Sequence, residues 1–156
     1  MDLKFYRMRA NAKLPVRAHK TDAGMDLFYC PNGTRGASML DNGEYWLSAR
    51  SSNLVSTGLK TEIPEGYMLE IKNKSGIASK RGLLVGACVV DRGYTGEIFV
   101  NLHNPSDRCQ TLHAGDKIAQ AVFVKITTDI ELVEAENIYD EETSRGEGAL
   151  GSTGDK

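Results

Sequence analysis

Ile63-Pro64-Glu65-Gly66, running directly into Tyr67-Met68-Leu69-Glu70-Ile71-Lys72, reads as a turn that feeds a strand. Pro64 presets φ for the second position of a type I turn, and Gly66 suits the fourth. Tyr67, Leu69 and Ile71 then alternate with Met68, Glu70 and Lys72, the side-chain periodicity of a strand rather than of a helix. The pattern recurs. Ile98, Val100 and Leu102 alternate with Phe99, Asn101 and His103, and Val122, Val124 and Ile126 alternate with Ala121, Phe123 and Lys125. Each run puts one apolar face on a core and the other against solvent or a neighbouring copy. Further turn signals stand at Pro31-Asn32-Gly33 and Asp41-Asn42-Gly43. Many short strands with Gly-rich turns predict an all-β sandwich or barrel.

One short helix is expected over residues 75–81, with Ser75 as its cap and Gly82 ending it in the left-handed conformation. From about Glu134 the chain turns acidic and then rich in Gly, Ser and Thr, with almost nothing to bury. Residues 1–133 are therefore read as one β domain and residues 134–156 as a flexible C-terminal arm. A length of 156 residues suits one domain, and 40% hydrophobic residues suffice for a core. A net charge of −2 argues against direct nucleic-acid binding through a general basic field. The N-terminal stretch has no long apolar run, so neither a signal peptide nor a membrane anchor is expected. Cys30, Cys88 and Cys109 lack pair spacing and read as free thiols of a cytoplasmic protein. His19, His103 and His113 are expected at the surface, and no His/Cys cluster suggests a transition metal.

Five segments carry the chemistry: Asp22-Ala23-Gly24-Met25-Asp26-Leu27, Lys74-Ser75-Gly76-Ile77-Ala78, residues 86–97 (GACVVDRGYTGE), Gly115-Asp116-Lys117-Ile118-Ala119-Gln120, and residues 145–154 (RGEGALGSTG). Any one is weak, but all five in this order resemble the motifs of the trimeric dUTPase family. The resemblance implies a jelly-roll subunit, a homotrimer with active sites at subunit interfaces, and Mg²⁺-assisted hydrolysis of dUTP to dUMP and pyrophosphate.

Standing alone, Asp91 is a solvated turn residue. Within Asp91-Arg92-Gly93-Tyr94-Thr95-Gly96 the resemblance makes it the base for the water that attacks the α-phosphorus, a role open to an ionised carboxylate. Tyr94, otherwise a half-buried strand aromatic, would lie flat under the deoxyribose and exclude a 2′-hydroxyl. Val90 would line the nucleotide site. Lys74, Ser75 and Gly76 would hold phosphates at the helix start, where unpaired N–H groups favour anions. Lys74 stands where the family usually has Arg, so a two-donor fork is missing. Gln120, an amide on an apolar strand, is assigned to the phosphates or the attacking water. Asp26 would hold waters around a Mg²⁺ carried by the triphosphate.

In the arm, Arg145 would grip the terminal phosphate, while Gly151, Ser152 and Thr153 wrap the ligand and Leu150 covers the base where the family usually has Phe. The Gly146, Gly148, Gly151 spacing is not a dinucleotide-binding turn, because the chain ends too soon for the helix it needs. Residues 83–90, shorter than in many members, would read uracil through backbone groups. A dCTP deaminase shares the fold, but where that family carries a Glu this chain has Asn101, which is neither acid nor base. The short hairpin and Leu150 also resemble phage-type sequences, which leaves a regulatory protein partner open as a further class of interaction.

Overall fold

A computed structural model of the chain describes residues 1–31, 43–137 and Gly146. Eleven strands and one helix follow one another: β1 (Lys4–Arg7), β2 (Gly24–Phe28), β3 (Tyr45–Leu47), β4 (Ser51–Ser56), β5 (Leu59–Glu62), β6 (Tyr67–Lys72), α1 (Ser75–Arg81), β7 (Leu84–Val85), β8 (Val89–Val90), β9 (Phe99–Asn104), β10 (Gln110–Leu112) and β11 (Lys117–Lys125). Every pairing is antiparallel. The larger sheets have the orders β2-β11-β6-β8 and β4-β9-β7, and two-stranded pairs β1-β5 and β10-β3 complete the body. The all-β sandwich of short strands expected from the sequence is thus present.

The inner faces meet in one core. Leu27, Leu69, Ile71, Ala119 and Ala121 from the four-stranded sheet pack with Val55, Val100 and Leu102 from the three-stranded one. Alternation on β6 and β9 is as expected: Leu69 and Ile71 are buried while Lys72 is exposed, and Val100 and Leu102 are buried while Phe99 is exposed. β11 behaves differently because it is apolar on both faces. Ala119 and Ala121 are buried and Phe123 packs against the core, leaving Val122 and Val124 half-buried on the opposite face. Phe123 stacks on Tyr67 of β6 with ring centroids 4.4 Å apart.

The helix falls where expected, but its cap does not. Ser75 is already the first helical residue, and the cap is Lys74, extended at φ −87° and ψ 124° with no side-chain bond. The Lys74 carbonyl instead accepts the N–H groups of Ile77 and Ala78, each at 2.9 Å. Gly82 closes the helix at φ 63°. His103 also departs from the expected surface position: it lies half-buried on β9 with Nε2 2.9 Å from Asn101 Oδ1. Cys30, Cys88 and Cys109 are free. Among the described residues no helix is long and apolar enough to cross a membrane. The turns expected at Asn32-Gly33 and Asp41-Asn42 lie outside the described residues.

Candidate active site

The expected site residues fall into two groups at opposite ends of one sheet. The first group forms a row across β2, β11 and β6, where Asp26 pairs with Gln120 and Gln120 with Lys72. Asp26 is only 5% exposed, and a buried carboxylate needs compensation. Two lysines supply it: Lys74 Nζ lies 2.7 Å from Oδ1 and Lys117 Nζ 2.7 Å from Oδ2. Burial pushes the Asp26 carboxyl up, but the hydrogen bonds and charges of Lys117 and Lys74 outweigh it and hold the group below its ordinary value. Where one guanidinium would fork onto both oxygens, two point charges do so separately.

Beside this pair Gln120 Nε2 donates to the Asn73 carbonyl at 2.9 Å. Its amide lies across Gly24, where a Cβ would stand 2.0 Å from Gln120 Oε1. Any side chain at Gly24 would therefore displace the Gln120 amide. The exposed Ser75 follows directly on Lys74, and nothing lies within 4 Å of a Cβ built on Gly76, so the helix start opens onto free space. Lys74, Lys117 and the first N–H groups of α1 thus gather positive charge and donors beside a neutral amide, which suits an anionic ligand. Among the described residues there is no cluster of three His, Cys, Asp or Glu able to hold a metal. A lone, lysine-paired carboxylate fits a magnesium ion only if its other ligands are phosphate oxygens and waters.

The second group stands at the far end of β6. β8 pairs there through Val90 to Leu69, and Asp91 follows at once. The Asp91 carboxylate is exposed and has no hydrogen-bond or ion-pair partner among the described residues; its main-chain carbonyl accepts the Tyr94 N–H at 3.3 Å. Gly93, at φ 91°, makes the reversal. Tyr94 is 48% exposed, and its hydroxyl donates to the Glu97 carbonyl at 2.9 Å. A Cβ on Gly96 would lie 2.4 Å from that hydroxyl, so the ring is seated against bare backbone. Val90, Asp91, Tyr94, Ala87 and Cys88 share with Leu54 and Phe99 a pocket of about 330 Å³. A larger groove of about 990 Å³ lies between the β1–β5 pair and the turn after Asp91, lined by Lys4, Lys60 and Arg92 among others, and contains none of the phosphate-type residues.

Within one protomer the groups do not meet. Asp91 follows Val90, the partner of Leu69 on one side of β6, and so continues toward the level of Met68, whereas Gln120 pairs with Lys72 on the other side. Four residues of strand and two interstrand steps put them roughly 16 Å apart. Arg145, Leu150, Gly151, Ser152 and Thr153 lie outside the described residues.

Three groups bearing on the site went unread in the sequence. Lys117 belongs to the segment of residues 115–120, and the buried carboxylate opposite it, Asp26, is visible only in the fold. Glu97 lies under the Tyr94 loop with its side chain 9% exposed, accepting from Ser56 Oγ at 2.5 Å, from the Gly58 N–H at 2.7 Å, and from Arg9. Burial pushes the Glu97 carboxyl up, but Arg9, Ser56 and Gly58 more than offset this and its pKa ends lowered. Asn101, read only as a missing acid, braces the loop before β8.

This antiparallel sandwich, with a cationic helix start and a nucleoside-sized pocket, has close counterparts among known proteins. The dUTPase family model matches residues 10–154. The chain is 37% identical to the deoxyuridine 5′-triphosphate nucleotidohydrolase of Kluyveromyces lactis, covering 97% of this chain and 93% of the relative. Among solved structures it resembles the dUTPase of Staphylococcus bacteriophage 80alpha with dUpNHpp, at TM-score 0.81 and 27% identity over 98% of both chains. A dUTPase from phage phi11 of S. aureus, described with a coordinated structural Mg(II) ion, matches at TM-score 0.74 and 26% identity, covering 88% of this chain and 99% of that one. The chain therefore belongs to the dUTPase family, the dUTP diphosphatases, enzymes of nucleotide metabolism.

Proposed function

We propose that this dUTPase splits dUTP to dUMP and pyrophosphate by attack of an Asp91-held water on the α-phosphorus, assisted by Mg²⁺, at sites built between copies in a homotrimer. The observation that carries this reading is the Asp91 carboxylate, which has no partner among the described residues, at the rim of the pocket shared by Val90 and Tyr94. An ionised carboxylate there accepts a proton from water, while the Tyr94 ring, held through Glu97, underlies the sugar. Residues 86–90 face the base. Lys74, Ser75, Gly76 and Gln120 take the phosphates, with Asp26 holding waters of a Mg²⁺ that the triphosphate brings; bound there, the ion neutralises phosphate charge.

The 16 Å or so between Asp91 and Gln120 is the reason for placing the site between copies, since acid–base catalysis works at hydrogen-bond reach. Ile130, Leu132 and Val133, 63%, 90% and 76% exposed, give a single protomer apolar surface that assembly would cover. Residues 134–156 are the arm that closes over the ligand, with Arg145 on the γ-phosphate, Leu150 over the base, and Gly151, Ser152 and Thr153 around it. Free Cys30, Cys88 and Cys109 fit a reducing cytoplasm.

The test is pyrophosphate release from a panel of nucleoside triphosphates, with and without Mg²⁺, by wild type and Asp91→Asn. Asp91→Asn should bind dUTP and lose about 10²–10⁴-fold in turnover. Wild-type rates in that variant would remove Asp91 from the mechanism.

A further inference from the structure

We infer that Asn101 is a positioning residue for base recognition, holding the loop of residues 86–88 in the shape that distinguishes uracil from cytosine; this rests on reading that loop as base-facing. Asn101 sits at mid-strand on β9, on the face turned away from the core. On one side its Nδ2 donates to Ser52 Oγ at 2.9 Å and reaches the Asn53 carbonyl at 3.5 Å, so β4 fixes which way the amide points. Oδ1 is thereby turned toward the loop, where it accepts the Ala87 N–H at 3.1 Å and lies 2.9 Å from His103 Nε2. The main-chain carbonyl of the same residue accepts the Gly86 N–H at 2.9 Å. Two consecutive peptide groups of the loop therefore hang on one residue.

Gly86 completes the fit. A Cβ there would lie 2.2 Å from both Asn101 Oδ1 and His103 Nε2, so these side chains occupy the space that any other residue would claim. Past this point the Cys88 carbonyl accepts the Ile71 N–H at 2.6 Å, and the loop has crossed to the other sheet. The Cys88 N–H and the carbonyls of Gly86 and Ala87 take no hydrogen bond among the described residues. One donor and two acceptors therefore stay free beside a pocket that Ala87 and Cys88 line.

Uracil offers an acceptor at O4 and a donor at N3, whereas cytosine reverses both. Unpaired backbone groups distinguish the two only while their directions are fixed, because rejection of the wrong base comes from groups left unsatisfied. Asn101 does not line the pocket, so it acts through the loop.

Steady-state hydrolysis of dUTP and dCTP tests this. In Asn101→Leu, the ratio of kcat/KM for dUTP over dCTP should fall about tenfold or more, because hydrogen-bonding sites discriminate strongly only when pre-set. kcat for dUTP should change much less, since Asp91 and the phosphate residues are untouched. Asn101→Asp keeps an acceptor for Ala87 but loses the Nδ2 donor to β4, so it should retain more of the wild-type ratio than Asn101→Leu. Should Asn101→Leu not fold, Asn101→Ser takes its place, with amide exchange at Ala87 expected to speed up. Discrimination preserved in the Leu or Ser variant, or lost equally in the Asp variant, would overturn the inference. Absence of dUTP turnover in wild type would instead overturn the functional reading beneath it.

Discussion

Replacing Glu97 by glutamine removes one charge from a pair that is almost closed to water. The Glu97 side chain is 9% exposed and that of Arg9 22%, and Arg9 Nε is buried without a hydrogen-bond partner among the described residues. Glutamine keeps one acceptor for Ser56 and Gly58, but its NH₂ then faces a guanidinium donor. Stranding a buried charge costs about 3–5 kcal/mol, and the retained acceptor places this change near the lower end. For a chain of this size about 3 kcal/mol corresponds to a fall in Tm of roughly 6–12 °C.

The loss should depend on pH in a defined direction. The carboxyl has a folded pKa below its unfolded value of about 4.3, so its contribution is fully present above that value. It disappears as pH falls through the folded pKa, and the gap between wild type and Glu97→Gln should close there. Thermal melts followed by circular dichroism from neutral to strongly acid pH, at fixed protein concentration, measure both effects. The double variant Arg9→Met/Glu97→Leu should melt above Glu97→Gln, because an apolar pair of similar bulk leaves no charge stranded. A Tm unchanged at neutral pH, or a gap that persists in acid, would refute the assignment of this pair as a buried anchor.

Gly24→Ala drives a methyl into Gln120 Oε1 and should cost about 10²-fold in dUTP turnover while the protein stays folded; wild-type turnover would show that the amide needs no fixed place. Asp26→Asn should raise the Mg²⁺ concentration for half-maximal activity about tenfold. An unmoved Mg²⁺ titration would reduce Asp26 to an anchor for Lys74 and Lys117. Deleting residues 140–156 should leave the sedimentation of the assembly unchanged and abolish most activity, and a shift to monomers would make the arm structural.

Strands with one polar face were legible, because Glu70 and Lys72 mark which side of β6 leaves the core. β11 was not, since Val122, Phe123 and Val124 offer apolar groups to both sides and alternation alone gives no parity. The motif segments were legible as neighbours along the chain, and Asp26, Lys74 and Gln120 do come together. Their distance from Asp91 was hidden, because it depends on how β8 and β11 register on opposite sides of β6. Arg9 and Glu97 lie 88 residues apart with no local sign of their pairing. Asn101 was read for the chemistry it lacks, whereas its amide contributes by shape.

The split of Asp91 and Gln120 between opposite ends of one sheet has a consequence for inheritance. If neighbouring copies share each site, two individually inactive chains can repair each other. A chain without Asp91 still presents Gln120, Lys74 and Ser75, and a chain without Gln120 still presents Asp91 and Tyr94. Refolded together, they form some sites in which both contributions are intact. The reverse also holds: a damaged copy spoils a site that its healthy neighbour helps to build. In a cell making both versions, such a defect would act as a partial dominant.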